Sequence, residues 1–186
     1  MVPPISLRTR RAIDDRTDRL RERYAQFPVL DATRLNDPEF FEHGIDLFES
    51  GGRGAAGARV TDDDGRLLLI RDDRDPETWV LPGGGHEPGE TFPQTARREV
   101  REETGVDCEI TGVWRVVRKR FVHREQPQRR GYLLELFFTA DAVGGAAGIY
   151  PDRLEGEEEV LEVRWFDDVP ANAAPVVEDR TAPPVG

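Results

Sequence analysis

The stretch from Gly83 to Val106 constrains this chain more than any other. It opens Gly83-Gly84-Gly85-His86-Glu87-Pro88-Gly89-Glu90 and closes Arg97-Arg98-Glu99-Val100-Arg101-Glu102-Glu103-Thr104-Gly105-Val106. Thr91 is a capping residue type, Pro93 suits a first turn, and Gly105 suits the position past a helix end. A helix is therefore predicted over Thr91–Thr104. Residues three and four apart share a helix face. Phe92, Ala96 and Val100, spaced by four, form an apolar stripe that packs such a helix onto a sheet. Glu99, Glu102 and Glu103 converge on another face.

Clustered carboxylates repel one another by roughly a few kcal/mol per close pair at an effective dielectric near 20. Two readings are open: a solvated acidic face, or a site for a hard divalent cation such as Mg²⁺ or Mn²⁺, which prefers carboxylate oxygens. Magnesium bound through a few carboxylates and substrate phosphates points to phosphate-ester or phosphoanhydride chemistry. The glycines before the helix favour the second reading. Gly83, Gly84, Gly85 and Gly89 permit unusual backbone angles and close approach of main-chain groups to a metal or phosphate.

Around this segment the pattern is that of a mixed α/β chain. Ile13, Thr17, Leu20, Tyr24 and Phe27 predict an amphipathic helix over residues 6–27, either docked on its own domain or serving as a dimer contact. A second short helix is expected around Pro38–Glu49, and Gly51–Gly57 as a flexible boundary. Asp62-Asp63-Asp64-Gly65 is a hairpin-type turn before the apolar run Leu67–Ile70. Trp79–Leu81, Val106–Ile110, Val113–Val122, Tyr132–Ala140 and Val160–Phe166 read as strands. The expected organisation is a helical extension (1–50), a glycine-rich linker (51–57), one domain (58–170) and a flexible tail (171–186).

Composition narrows the function. The chain has 186 residues with 37 Asp+Glu against 26 Lys+Arg, a net charge of −11. Such a balance disfavours a nucleic-acid partner. No apolar stretch reaches the ~20 residues of a spanning helix, so no membrane partner is expected. Met1–Ser6 runs into charged residues without an apolar leader, and Cys108 is the lone cysteine; the expectation is a cytoplasmic protein. Apart from Lys119 every cationic side chain is arginine. Arginine for lysine together with excess acid points to a salt-accumulating, haloarchaeal-type cytoplasm, where 1 M salt screens charge to within ~3 Å.

The spacing of the central segment resembles the Nudix hydrolase family. Gly84, five residues, Glu90, seven residues, Arg98-Glu99-Val100, one residue, Glu102-Glu103, one residue and Gly105-Val106 fill all nine defined positions of its 23-residue box. The wider resemblance covers about Ala58–Val169. It implies a mixed β-sheet sandwiched between α-helices, and metal-dependent hydrolysis of a nucleoside diphosphate linked to another moiety by water attack on phosphorus. By position it implies Glu99 and Glu103 as metal ligands and Glu102 as a ligand or the base that orients water. Arg98 would hold these glutamates, the Gly83 carbonyl would add a ligand, and Glu90 would assist through the loop. Gly84 and Gly105 are the structural glycines of the motif. A further glutamate is implied before the last core strand, Glu157 or Glu158. Markers for ADP-ribose, dinucleoside-polyphosphate, NADH or coenzyme A substrates are missing; Arg120-Phe121 stands where the ADP-ribose proline would be. Within the basic stretch Arg115–Arg130, Arg118, Arg120 and Phe121 are the candidate substrate contacts, the alternative being an exposed charged hairpin. A Nudix-fold nucleotide sensor without catalysis is the second reading.

Overall fold

The structure, a computed structural model, describes residues 4–24, 26–150 and 160–183. The elements in chain order are α1 (Ile5–Arg23), β1 (Val29–Asn36), α2 (Pro38–Ser50), β2 (Gly54–Thr61), β3 (Leu67–Asp72), β4 (Gly83–Gly85), α3 (Phe92–Thr104), β5 (Val106–His123), β6 (Arg130–Gly145), β7 (Val160–Phe166) and α4 (Pro175–Glu178). Six strands form a mixed sheet in the order β1-β5-β6-β2-β3-β7, and β4 joins it on β2. The β1·β5 and β2·β6 pairs are parallel and the other pairs antiparallel.

Side chains alternate along strands, so each strand supplies both faces. Val116, Leu134, Leu136 and Phe138 point to one face, where Ile13 and Leu20 of α1 and Phe92, Ala96 and Val100 of α3 cover them. Phe121 and Phe137 lie on the other. There Phe41 of α2 packs against Phe121 at 5.4 Å between ring centroids, and the segment after β7 packs on Leu67, Leu69 and Trp79. In α1, Thr9 and Thr17 are buried because their hydroxyls donate to the carbonyls of Ile5 and Ile13, each at 2.8 Å. The helix ends at Arg23, earlier than Phe27, because Tyr24 is already extended.

Three boundaries differ from those expected. Residues 1–50 are not a helical extension: β1 pairs in register with β5 from Val29↔Val116 to Asn36↔His123, so the segment supplies an edge strand and two covering helices. Nor is the glycine-rich stretch a linker. A Cβ on Gly54 would stand 1.7 Å from the Leu134 carbonyl oxygen, and one on Gly57 2.3 Å from that of Pro82. The small residues let β2 run between β6 and β4 at close quarters. Residues 171–183 of the expected tail are folded as well, with Val177 and Ala182 buried. Val106–Ile110 and Val113–Val122 are one strand, β5, whose pairing shifts at Ile110/Gly112 and Val113/Arg115 mark the predicted break.

Phe41 is fully buried. Phe41→Ala is expected to destabilise the protein by about 3–5 kcal/mol. A denaturant titration showing a loss under ~1 kcal/mol would mean that α2 does not share the core of the sheet.

Candidate active site

The glycine turn and α3 meet because β2 separates from β3. Their pairing is confined to Thr61↔Leu67, and further along β2 pairs with β4 through Ala55↔Gly85, Ala56↔Gly84 and Gly57↔Gly83. This seats Gly83–Gly85 beside the helix. The Gly83 N–H donates to Glu103 Oε2 at 2.7 Å. A Cβ on Gly84 would lie 2.5 Å from Glu99 Oε2, so only glycine leaves that carboxylate its place. The helix itself is fixed at both ends. Thr91 and Gln94 form a capping box, and Gly105 takes the left-handed conformation at φ 75°.

Arg98 organises the carboxylates. Its Nε and Nη2 donate to Glu90 Oε1 and Oε2 at 2.9 and 3.2 Å, and Nη1 donates to Glu99 Oε1 at 2.8 Å and Glu102 Oε2 at 3.0 Å. Nη2 also donates to the Gly85 carbonyl at 2.8 Å, tying helix to turn. Burial opposes the Arg98 charge, but Glu90, Glu99 and Glu102 outweigh it and raise its pKa. Burial also opposes the Glu90 charge, yet Arg98, Thr95 and the Glu87 N–H hold its pKa below the usual range. For Glu99 burial wins: its pKa is pushed up to about 7, with Arg98 opposing and Glu102 and Glu90 adding to the rise.

Glu99, Glu102, Glu103 and Gly83 line one wall of a cavity of ≈ 1070 Å³. The sheet forms another wall with Arg115, Lys119, Glu135 and Phe137, and Ala174–Val176 of the C-terminal segment closes a side. The structure thus brings Glu99, Glu102, Glu103, Arg98, Glu90, Gly83 and Gly84 together. Among the described residues no group of three His, Cys, Asp or Glu is already converged as a metal cage. The donor set is nevertheless all oxygen, on carboxylates tethered beside a glycine cradle, and that chemistry fits a hard divalent cation. Glu158 and its neighbours Glu155, Glu157 and Glu159 lie outside the described residues.

Arg118, Arg120 and Phe121 are not at the cavity. Arg118 donates to both carboxylate oxygens of Asp31 at 2.9 and 2.7 Å on the opposite face, and Arg120 shares that face by alternation. Phe121 is buried against Phe41 beside Gly44 and Gly131, which makes it core. The sheet contributes Arg115 and Lys119 instead, two residues of the same basic stretch. The period of two would have selected the Arg115/Lys119 face only with knowledge of which side α1 covers.

The fold has helices on both faces of a mixed sheet and a clamped carboxylate cluster beside a glycine turn, opening onto a cavity. The chain belongs to the Nudix family: the NUDIX domain model matches residues 52–178. It is similar to diphosphoinositol polyphosphate phosphohydrolase 3-alpha of Homo sapiens, 33% identical over 58% of this chain and 57% of that protein. ADP-ribose pyrophosphatase of Methanocaldococcus jannaschii is 29% identical over 58% of each. A nucleoside triphosphatase NudI of Enterobacter sp. is 58% identical over 20% of this chain and 27% of its own length. The chain thus spans between about a quarter and three-fifths of the length of these curated relatives. Among solved structures, a MutT Nudix hydrolase from Burkholderia pseudomallei is 29% identical over 67% of this chain and 92% of that one, with a TM-score of 0.48.

Arg98→Met leaves Glu90, Glu99 and Glu102 without their common counter-charge. The expected loss is on the order of 3 kcal/mol in denaturant unfolding. Millimolar Mg²⁺ should restore more stability to this variant than to wild type; an equal response would show that the clamp and the cation do not act on the same carboxylates.

Proposed function

We propose that this protein hydrolyses a pyrophosphate bond in a small nucleotide derivative, a nucleoside diphosphate linked to another moiety, with Mg²⁺ or Mn²⁺ as cofactor. The observation that carries the reading is Glu99 and Glu102 held by Arg98, with Glu103 held by the Gly83 N–H, all facing a cavity beside Gly83–Gly85. Family membership supports the same chemistry.

Glu99, Glu102 and Glu103, with the Gly83 carbonyl, would hold the metal. The bound cation would supply charge neutralisation for the phosphoryl oxygens and lower the pKa of water. The chain's own residues do the rest. Arg98 keeps Glu99 and Glu102 oriented through hydrogen bonds of 2.8 and 3.0 Å, the distances of charge-assisted bonds. Glu102 Oε2 accepts from Arg98, and the carboxylate's remaining lone pairs can take a proton from water or fix its orientation. Glu90 neutralises Arg98 from the other side, so that the guanidinium does not cancel the whole cluster.

A screen over nucleoside diphosphate derivatives and nucleoside triphosphates with Mg²⁺ or Mn²⁺, in which the nucleoside monophosphate released is read by chromatography, tests this. Glu102→Gln should retain the fold and lower turnover by roughly 10²–10⁴-fold. EDTA should abolish release. Equal metal-dependent turnover in Glu102→Gln and wild type would overturn the site assignment, and no release from any substrate would favour a nucleotide sensor.

The net charge of −11 supports a protein adapted to a salt-rich cytoplasm. The thermal midpoint is expected to rise between about 0.1 and 1 M KCl as the Debye length falls from ~10 to ~3 Å. A maximum below ~0.2 M would end that reading.

A further inference from the structure

Arg115 is a buried cation that makes no ion pair among the described residues, although Glu135 and Asp179 are near enough to attract it. It is 3% exposed, on β5, and lines the same cavity as Glu99, Glu102 and Glu103. Its Nη1 donates to the Ala182 carbonyl at 2.8 Å, and its Nε is buried with no hydrogen-bond partner. The other cations of the cavity differ: Lys119 is paired with Glu135, and Arg74 with Asp72. Burial lowers the Arg115 pKa, and the attraction of Glu135 and Asp179 does not offset it. An isolated charge taken out of water is unfavourable unless paired. An arginine retained in such a place is suited to an anion that arrives from outside.

We propose that Arg115 binds a phosphoryl group of the substrate from the sheet wall of the cavity, across from the carboxylate wall on α3. The proposal rests on the hydrolase reading for the identity of the anion, but not for its physical basis. Through Nη1 the guanidinium holds the Ala182 carbonyl and the C-terminal segment; its remaining N–H groups are the donors that would meet phosphoryl oxygen. Substrate orientation then comes from two chemically opposite walls. The α3 wall would hold the cation that neutralises the phosphoryl charge, and the sheet wall takes phosphoryl oxygen directly by Arg115. Selectivity follows for substrates in which a second phosphoryl group can reach the sheet while the first stays at α3.

Binding of inorganic pyrophosphate to the full chain in EDTA, read by titration calorimetry, tests this without metal or turnover. Wild type should bind. Arg115→Met should weaken binding by about 10–100-fold, the effect of one lost charge-assisted contact. Arg115→Lys should recover part of it by restoring the charge without the fork. The unfolding midpoint of Arg115→Met without ligand separates this role from a purely structural one. It should stay close to that of wild type, the lost bond to the Ala182 carbonyl being offset by removal of a buried charge. Unchanged pyrophosphate affinity in Arg115→Met, or a lowered midpoint with unchanged affinity, would overturn the proposal. Either result would leave the hydrolase reading to be judged by Glu102→Gln. Conversely, loss of pyrophosphate affinity in Arg115→Met supports the proposal even if the substrate screen yields no turnover.

Discussion

Mutual repulsion among the glutamates of α3 is the constraint on which the site is built, and Arg98 is how the fold meets it. One planar guanidinium bonds Glu90, Glu99 and Glu102 and also the Gly85 carbonyl. A lysine has neither the number of donors nor the fixed fork to do this. The consequence reaches past electrostatics. Because Arg98 holds the turn as well as the helix, the carboxylates and Gly83–Gly85 form one rigid unit, and the Glu103 bond to the Gly83 N–H closes it from the other side. Burial of Glu99 to the point where its pKa approaches 7 is tolerable only within such a unit.

That unit needs a sheet that parts to receive it. β2 is released from β3 by the short Thr61↔Leu67 contact and takes β4 as its neighbour, with β6 on its other side. Glycine and alanine along Gly54–Ala58 are the residues that let three backbones run so close. The apolar stripe of α3 then faces the core with Phe92, Ala96 and Val100 buried, while its glutamates face the cavity. Stability and chemistry are thus divided between two faces of one helix.

How much of this is legible in sequence follows from how local each cause is. The helix bounds, the capping role of Thr91, Gly105 past its end and the grouping of Glu99, Glu102 and Glu103 all depend on neighbours within a few residues, and pattern reading reaches them. β1 is different. Val29–Asn36 carries Asp31, Arg34 and Asn36, with no clean alternation, and becomes a strand because β5 offers it a parallel edge 87 residues away. Gly51–Gly57 reads as flexible because glycine favours both linkers and crowded strands, and only the neighbouring backbones decide between them. Within the basic stretch Arg118 belongs to Asp31 and Phe121 to Phe41, while Arg115 and Lys119 line the cavity. A strand's two faces are symmetric in sequence until something covers one.

The C-terminal segment shows the same principle at its furthest reach. Its proline- and alanine-rich composition argues against any regular element, and an irregular segment that packs must still satisfy its carbonyls. The sheet does so with side chains: Trp114 Nε1 donates to the Val176 carbonyl at 2.8 Å, Arg59 Nε to that of Val177 at 3.2 Å, and Arg115 to that of Ala182 at 2.8 Å. The donors lie 62 to 118 residues earlier in the chain, so no window around residues 171–183 contains the reason for their order. Order there matters for the site, because Ala174, Pro175, Val176 and Pro183 line the cavity that the glutamates open onto. A cavity with one wall held by carboxylate–arginine bonds and another by arginine and tryptophan donors keeps its shape without a continuous hydrogen-bonded strand around it. Arg59, Trp114 and Arg115 on one side and Arg98 on the other thus hold the cavity's walls.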